Sequence, residues 1–184
     1  MRQLISPLFG TLLLLLSVPA NAGIKGFDSE EQFHKWYTYY YLHPEPEQIP
    51  SAIRYYVGSR FYQDKNSRAF MATFFASLFK QNAEVLGNTY EVIGQSESED
   101  AKIFFVYTLW AADTQDSRAF LAQAKIDWTA VQVQQLLAEM VGRIPDKPLE
   151  DPVDSPADLD RLWAMFQATG EAAPVRKIIS VLHS

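Results

Sequence analysis

A four-residue string, Ser67-Arg68-Ala69-Phe70, returns fifty residues later as Ser117-Arg118-Ala119-Phe120, and the likeness extends upstream. Ser51-Ala52-Ile53-Arg54-Tyr55-Tyr56-Val57 aligns with Asp100-Ala101-Lys102-Ile103-Phe104-Phe105-Val106, Phe61 falls on Trp110, and Asp64 on Asp113, with one residue inserted before the second string. Apolar positions and the polar residues that open a helix recur together. This pattern predicts an internal repeat of helix, tight turn and helix, spanning about 50–98 and 99–143. A chain built from such units is all-α, because a strand would alternate with period two instead.

The helical period continues outside the repeat. Phe33, Trp36, Tyr37, Tyr40 and Tyr41 fall on one face of a first helix, which His43-Pro44-Glu45-Pro46 is expected to end. Ile49, Ile53, Tyr56, Val57 and Arg60 mark a second, with Pro50 in its first turn. Asn66 or Ser67 is the expected cap of a third, whose rows Phe70/Phe74/Leu78 and Met71/Phe75/Phe79 predict a wide buried stripe. Asn82 opens a fourth that Gly94 stops, and Asp127 is expected to cap another, from Trp128 to Gly142. Four prolines among acids make 144–156 an acidic, extended and solvated connector. Ser155-Pro156-Ala157-Asp158 then opens a terminal hairpin, 157–184, whose first helix carries Leu159, Leu162, Trp163 and Phe166. Its second carries Val175, Ile178, Ile179 and Leu182, and because the chain stops soon after, this apolar stripe is the expected seat of a homodimer or of a bound partner. The reading is seven to eight helices in stacked antiparallel hairpins, a short α-solenoid-like arrangement forming a single domain over 23–184.

Residues 1–22 have the three parts of a secretory signal: Arg2, an apolar stretch centred on Leu12 to Leu16, and Pro19-Ala20-Asn21-Ala22 ahead of a cut before Gly23. Ser6, Pro7, Gly10, Thr11 and Ser17 interrupt the stretch and make it a poor bilayer span, and nothing later is long and apolar enough to cross a membrane. A periplasmic or secreted protein is expected. Without the signal, 15 basic side chains face 22 acidic ones, which leaves no electrostatic footprint for nucleic acid. Zero cysteines exclude a disulfide framework, a thiolate nucleophile and cysteine-ligated zinc. Stability must come from a core, and 14% aromatic content supplies bulky material for one.

Trp163-x-x-Phe166-x-x-Thr169-Gly170, followed by Val175-x-x-Ile178-Ile179, resembles a hairpin of uncharacterised exported bacterial helical proteins. The Trp36 region with Tyr41-Leu42-His43-Pro44-Glu45-Pro46-Glu47 is similar to the start of the same family. Together they bracket the chain after its signal, and the resemblance implies an exported helical protein without implying an activity. More loosely, the layout is similar to tetratricopeptide- and HEAT-type solenoids, although its offset of 49 to 50 exceeds the former's usual length of about 34 residues.

Chemistry-bearing patterns are sparse. Glu30 and His34 share a helix face at i, i+4, but with three histidines in the chain a zinc site lacks ligands. The connector's acids lack the spaced carboxylates and turning glycine of a calcium loop. No nucleophile elbow or glycine-rich phosphate loop occurs, so neither cofactor nor metal is expected, and no catalytic residue can be named. The acid pairs Glu30-Glu31, Glu45/Glu47 and Glu97/Glu99 sit where helix starts and turns place them. The distinctive feature is aromatic excess between Phe33 and Tyr62 beside Arg54, Arg60, Lys65 and Arg68. Tyr39 lies about 100° around the helix from the Trp36–Tyr40 face, off the core stripe. Trp36, Tyr39, Tyr40, Arg54, Tyr55 and Tyr62 are therefore the candidate binding residues, for an envelope protein, peptide or glycan. A non-enzymatic binding or scaffold module is the favoured function, and a small carboxylate-dependent peptidoglycan hydrolase or lyase the alternative.

Overall fold

The computed structural model describes residues 26–183, and the expected signal segment with its cut before Gly23 lies outside them. Among the described residues the regular structure is helical throughout. Its α-helices are α1 (Glu30–Thr38), α2 (Ile49–Gly58), α3 (Lys65–Gln81), α4 (Ala83–Gly94), α5 (Glu99–Ala112), α6 (Gln115–Asp127), α7 (Val131–Met140), α8 (Pro156–Thr169) and α9 (Ala172–Leu182). Short 3-10 turns, Pro46–Gln48 and Arg60–Gln63, lead into α2 and α3. The protein is an all-α bundle of helical hairpins, with nine α-helices among the described residues against the seven to eight expected.

The longest helix, α3, is central because both of its apolar rows are used. Met71, Phe74, Phe75, Leu78 and Phe79 are buried, and Ala72, Ala76 and Ser77 complete the enclosure. It packs most extensively on α8, next on α5. Buried Ala72 and Ala76 on α3, with Ala164 and Ala168 on α8, let those two backbones approach closely. The terminal hairpin therefore docks on the middle of the molecule and does not simply extend a stack. The connector makes this possible. Its side chains are largely exposed, as in a solvated segment, and it is tied to the terminal hairpin: Lys177 Nζ donates to the carbonyls of Pro148 and Asp151, and Arg161 pairs with Asp146 at 3.3 Å. Cations from α8 and α9 thus satisfy carbonyls and an acid that proline-rich backbone leaves without a ladder.

Helix ends follow side-chain chemistry more closely than the apolar period. Asp64, not Asn66 or Ser67, caps α3 and accepts the Ser67 N–H at 2.7 Å. Helix α1 stops at Thr38, before the prolines, and the Tyr41 N–H reaches across to the Gln167 carbonyl of α8 at 3.1 Å. Asp127 ends α6 and Trp128 is that helix's C-cap; α7 begins only at Val131. Ser155 and Asp158 form the expected capping box of α8, and Gly170 leaves that helix at φ 69°, the left-handed region glycine favours.

The two matching strings occupy similar local settings. The Ser117 N–H donates to Thr114 Oγ1 at 3.0 Å, so Thr114 plays the part of Asp64 in place of Asp113, the residue the sequence aligned with Asp64; Asp113 instead ends α5 as its C-cap, at φ 48°. Arg68 and Arg118 each use Nη1 to hold a carbonyl five residues back, Gln63 at 3.3 Å and Asp113 at 3.1 Å. Phe70 packs its ring on Tyr37 of α1, and Phe120 packs on Tyr90 of α4. In the last helix, Pro174 and Ile178 are buried while Ile179 is 51% and Leu182 69% exposed. No helix among the described residues is long and apolar enough to cross a membrane.

Candidate functional site

The six residues picked from sequence do not form one surface. Trp36, Tyr40 and Tyr62 are core residues, 8%, 6% and 8% exposed. The Trp36 ring packs on Tyr40 and on Phe74, with centroids 5.2 and 5.8 Å away, and Tyr62 packs on Tyr56 at 5.7 Å. Tyr55 is half-buried against Phe33 at 5.2 Å. Only Tyr39 and Arg54 are exposed, one at the end of α1 and the other mid-α2. Rings contributed by α1, α2 and α3 interlock edge-to-face, which accounts for most of the aromatic excess as packing. Burial raises Tyr40 and Tyr56 to about 12, with Glu47 and Glu45 adding to the rise at Tyr40.

A different set of residues makes a groove. A cavity of about 560 Å³ opens between α1, the 3-10 turn before α3, and the first turns of α3. Phe33, Tyr37, Tyr56, Phe61, Phe70 and Met71 give it an apolar, largely aromatic lining. Glu30, Glu31 and His34 of α1 and Asp160 of α8 stand on its polar edge, with Asn66 and Ser67 from α3. Local sequence explains the acids on α1: Ser29 caps the helix, accepting the Gln32 N–H at 3.2 Å, and Glu30 and Glu31 lie in the first turn, where the dipole favours anions. Glu30, His34 and Tyr37 follow at i, i+4, i+7 and so share the face turned to the groove.

Two contacts tie the groove to the fold. Arg60 Nη2 donates to Glu30 Oε2 at 2.8 Å while its guanidinium lies over the Phe61 ring, joining the turn before α3 to α1. Tyr56 Oη and Ser67 Oγ are 3.1 Å apart, joining α2 to α3. His34 sits edge-on to Tyr37, with centroids 5.1 Å apart. Glu31 and Asp160 are exposed carboxylates, and no ion pair involving either is found among the described residues. The i, i+4 spacing of Glu30 and His34 was thus a visible trace of this face. No group of three or more His, Asp or Glu among the described residues is placed to hold a metal ion.

The chain matches no protein-family model, no curated protein and no solved structure. Chemistry must therefore be read from the groove itself. Its volume lies in the range of small-molecule pockets. Aromatic faces and carboxylates both favour a cation, and the apolar lining favours the hydrocarbon that carries it.

Proposed function

We propose that the protein is an exported binding or scaffold module of the bacterial envelope, non-enzymatic, which holds a basic amphipathic segment of a partner protein or peptide in the α1–α3 groove. The observation that carries this reading is the combination, in one lining, of the at least partly exposed rings of Tyr37, Phe61 and Phe70 with the exposed carboxylates of Glu31 and Asp160. A Lys or Arg side chain lays its methylenes on the rings and its charge against the carboxylates. The parallel caps, arginine clasps and ring pairs of the two strings support an internal helical repeat. The secretory signal, the family resemblance, and pairing of two copies through the exposed Ile179 and Leu182 belong to the same proposal.

The test uses a short peptide alternating Lys and Leu, with its Glu-for-Lys counterpart as control, titrated calorimetrically. Binding of the basic peptide, weakened by Phe70→Ala and by the double variant Glu31→Gln, Asp160→Asn, is the expected result. Equal affinity for both peptides overturns it. Sedimentation of wild type against Ile179→Glu tests pairing; a strict monomer at high micromolar concentration ends that part.

One observation favours a second reading: carboxylates from α1 and α8 border a trough of rings, the kind of surface on which sugars stack, as a peptidoglycan hydrolase or lyase requires. Clearing on a peptidoglycan zymogram that disappears in Glu31→Gln or Asp160→Asn puts that enzyme in place of the binding module.

A further inference from the structure

The first two turns of α3 have a second cavity on their opposite side. Asn66, Ser67, Phe70 and Met71 face the acidic groove, whereas Lys65, Arg68 and Ala69 point about 180° away around the helix. There, with Tyr62 and with residues of α5 and α7, they line a cavity of about 410 Å³. Ile103 and Phe104 of α5 and Leu136 of α7 provide its apolar part, and Tyr107 of α5 adds a phenol.

The polar groups of this cavity are mainly donors. Lys65 Nζ carries three N–H bonds and no acceptor, and a guanidinium carries five. Arg68 spends Nη1 on the carbonyls of Tyr62, at 2.7 Å, and Gln63, which fixes the group over the Tyr62 ring with the rest of its fork uncommitted. Among the described residues neither Lys65 nor Arg68 has a carboxylate within 4 Å, whereas Arg60, Arg118 and Arg161 are all paired. The acids whose fields reach the two phenols, Asp100 at Tyr62 and Asp146 at Tyr107, do not line the cavity. Two unpaired cations beside an apolar wall, in a chain with net charge −6, make a local reversal of sign.

We propose that this cavity binds an amphiphilic carboxylate, its anionic head between Lys65 and Arg68 and its hydrocarbon body on Ile103, Phe104 and Leu136. A guanidinium fixed by two carbonyls is preorganised, so little side-chain freedom is lost when the head arrives. The apolar wall distinguishes such a ligand from a bare inorganic anion, which would leave that surface wet. The site is independent of the acidic groove, and its ligand has the opposite charge.

The experiment is calorimetric titration of the purified protein with decanoate, decylammonium and acetate, the three probes separating head charge from body. Decanoate is expected to bind, with decylammonium and acetate each weaker by about tenfold or more. Lys65→Glu is the informative variant. Lys65 is exposed at the first position of α3, where an acid suits the helix dipole, so folding is retained while the head-group charge is reversed. That variant is expected to weaken decanoate by about tenfold or more, while Arg54→Glu, on the exposed face of α2, and Glu31→Gln, in the other groove, leave it unchanged. Equal binding of decanoate and decylammonium, an unaltered Lys65→Glu, or no decanoate heat at millimolar concentration each overturns the proposal.

Discussion

Phe70→Ala and Phe120→Ala probe the duplicated string and the acidic groove in one experiment. The sequence pattern places both rings in equivalent core layers, where complete burial makes such a truncation cost about 3–5 kcal/mol. In the structure each ring is only half-buried, so truncation opens a hollow that water can enter and the cavity part of that cost largely vanishes. What remains is the transfer of a partly covered ring, about 1–1.5 kcal/mol, and one aromatic pair, about 0.5–1.5 kcal/mol, with Tyr37 or Tyr90 as the partner. Each variant is therefore expected to lose about 2 kcal/mol, which lowers Tm by about 4–8 °C in a chain of this length. Urea denaturation with fixed m-value measures the loss. Binding of the Lys–Leu peptide supplies the second readout: Phe70 lines the groove and Phe120 does not, so only Phe70→Ala should weaken it. A loss below about 0.5 kcal/mol in one variant beside a full loss in the other refutes the equivalence of the two settings. Equal weakening of the peptide by both refutes the placement of the groove.

Gly87 lies inside α4 with φ in the ordinary range, and a Cβ there meets Phe120 Cζ at 3.7 Å, so Gly87→Ala should stabilise by about 1 kcal/mol in thermal melts. Gly170→Ala should do the opposite, by about 1–2 kcal/mol or more, because φ is 69° and the new Cβ would meet Tyr41 Cβ at 3.3 Å. Tyr40 and Tyr56 titrate near 12 in the native state against 10.0 when unfolded, so the folded form holds both protons more tightly. That stability is whole below pH 10 and drains as pH rises toward 12; urea midpoints at about pH 8 and 11 should show the loss, and identical midpoints would contradict it. Asp158→Ala removes the acceptor for the N–H groups of Asp154 and Ser155 and a partner of Arg161, and should cost about 1 kcal/mol, read as a lower Tm.

Fold class was legible because helical periodicity and caps act locally. Asn82 and the Ser155/Asp158 box do in the structure what their side chains dictate, and the Phe74/Phe75 rows of α3 are buried as their spacing predicts. Departures came where a tertiary partner outbid the local signal. Tyr40 and Tyr41 continue the helical period but leave α1 because the Tyr41 N–H is held by the Gln167 carbonyl of α8, from distant sequence. The groove was legible only in part. The aromatic excess pointed to the right region, yet the partly exposed rings that line it alternate along the chain with those that fill the core: Tyr37 and Phe70 against Trp36, Tyr40 and Phe74. Asp160, separated from Glu31 by more than a hundred residues, enters only because α8 docks on α3.

That docking leaves α3 as a partition between surfaces of opposite sign, and salt should distinguish them. The acidic groove lies within the field of a chain whose net charge is −6, so a cation is attracted by the nearby carboxylates and by the distant charge together. The cavity beside Lys65 and Arg68 attracts an anion locally while the rest of the protein repels it. Added salt shortens the Debye length from about 30 Å at 0.01 M to about 10 Å at 0.1 M, removing the distant contribution before the near one. For the basic peptide both contributions are favourable, and affinity should fall steadily across this range. For decanoate the lost repulsion offsets part of the lost attraction, so its affinity should change less or pass through a maximum. The comparison holds the protein constant and needs no variant. Calorimetry of the two ligands at both ionic strengths decides it, and a steeper salt dependence for decanoate than for the peptide would mean that the charges at α3 do not act as two separate sites.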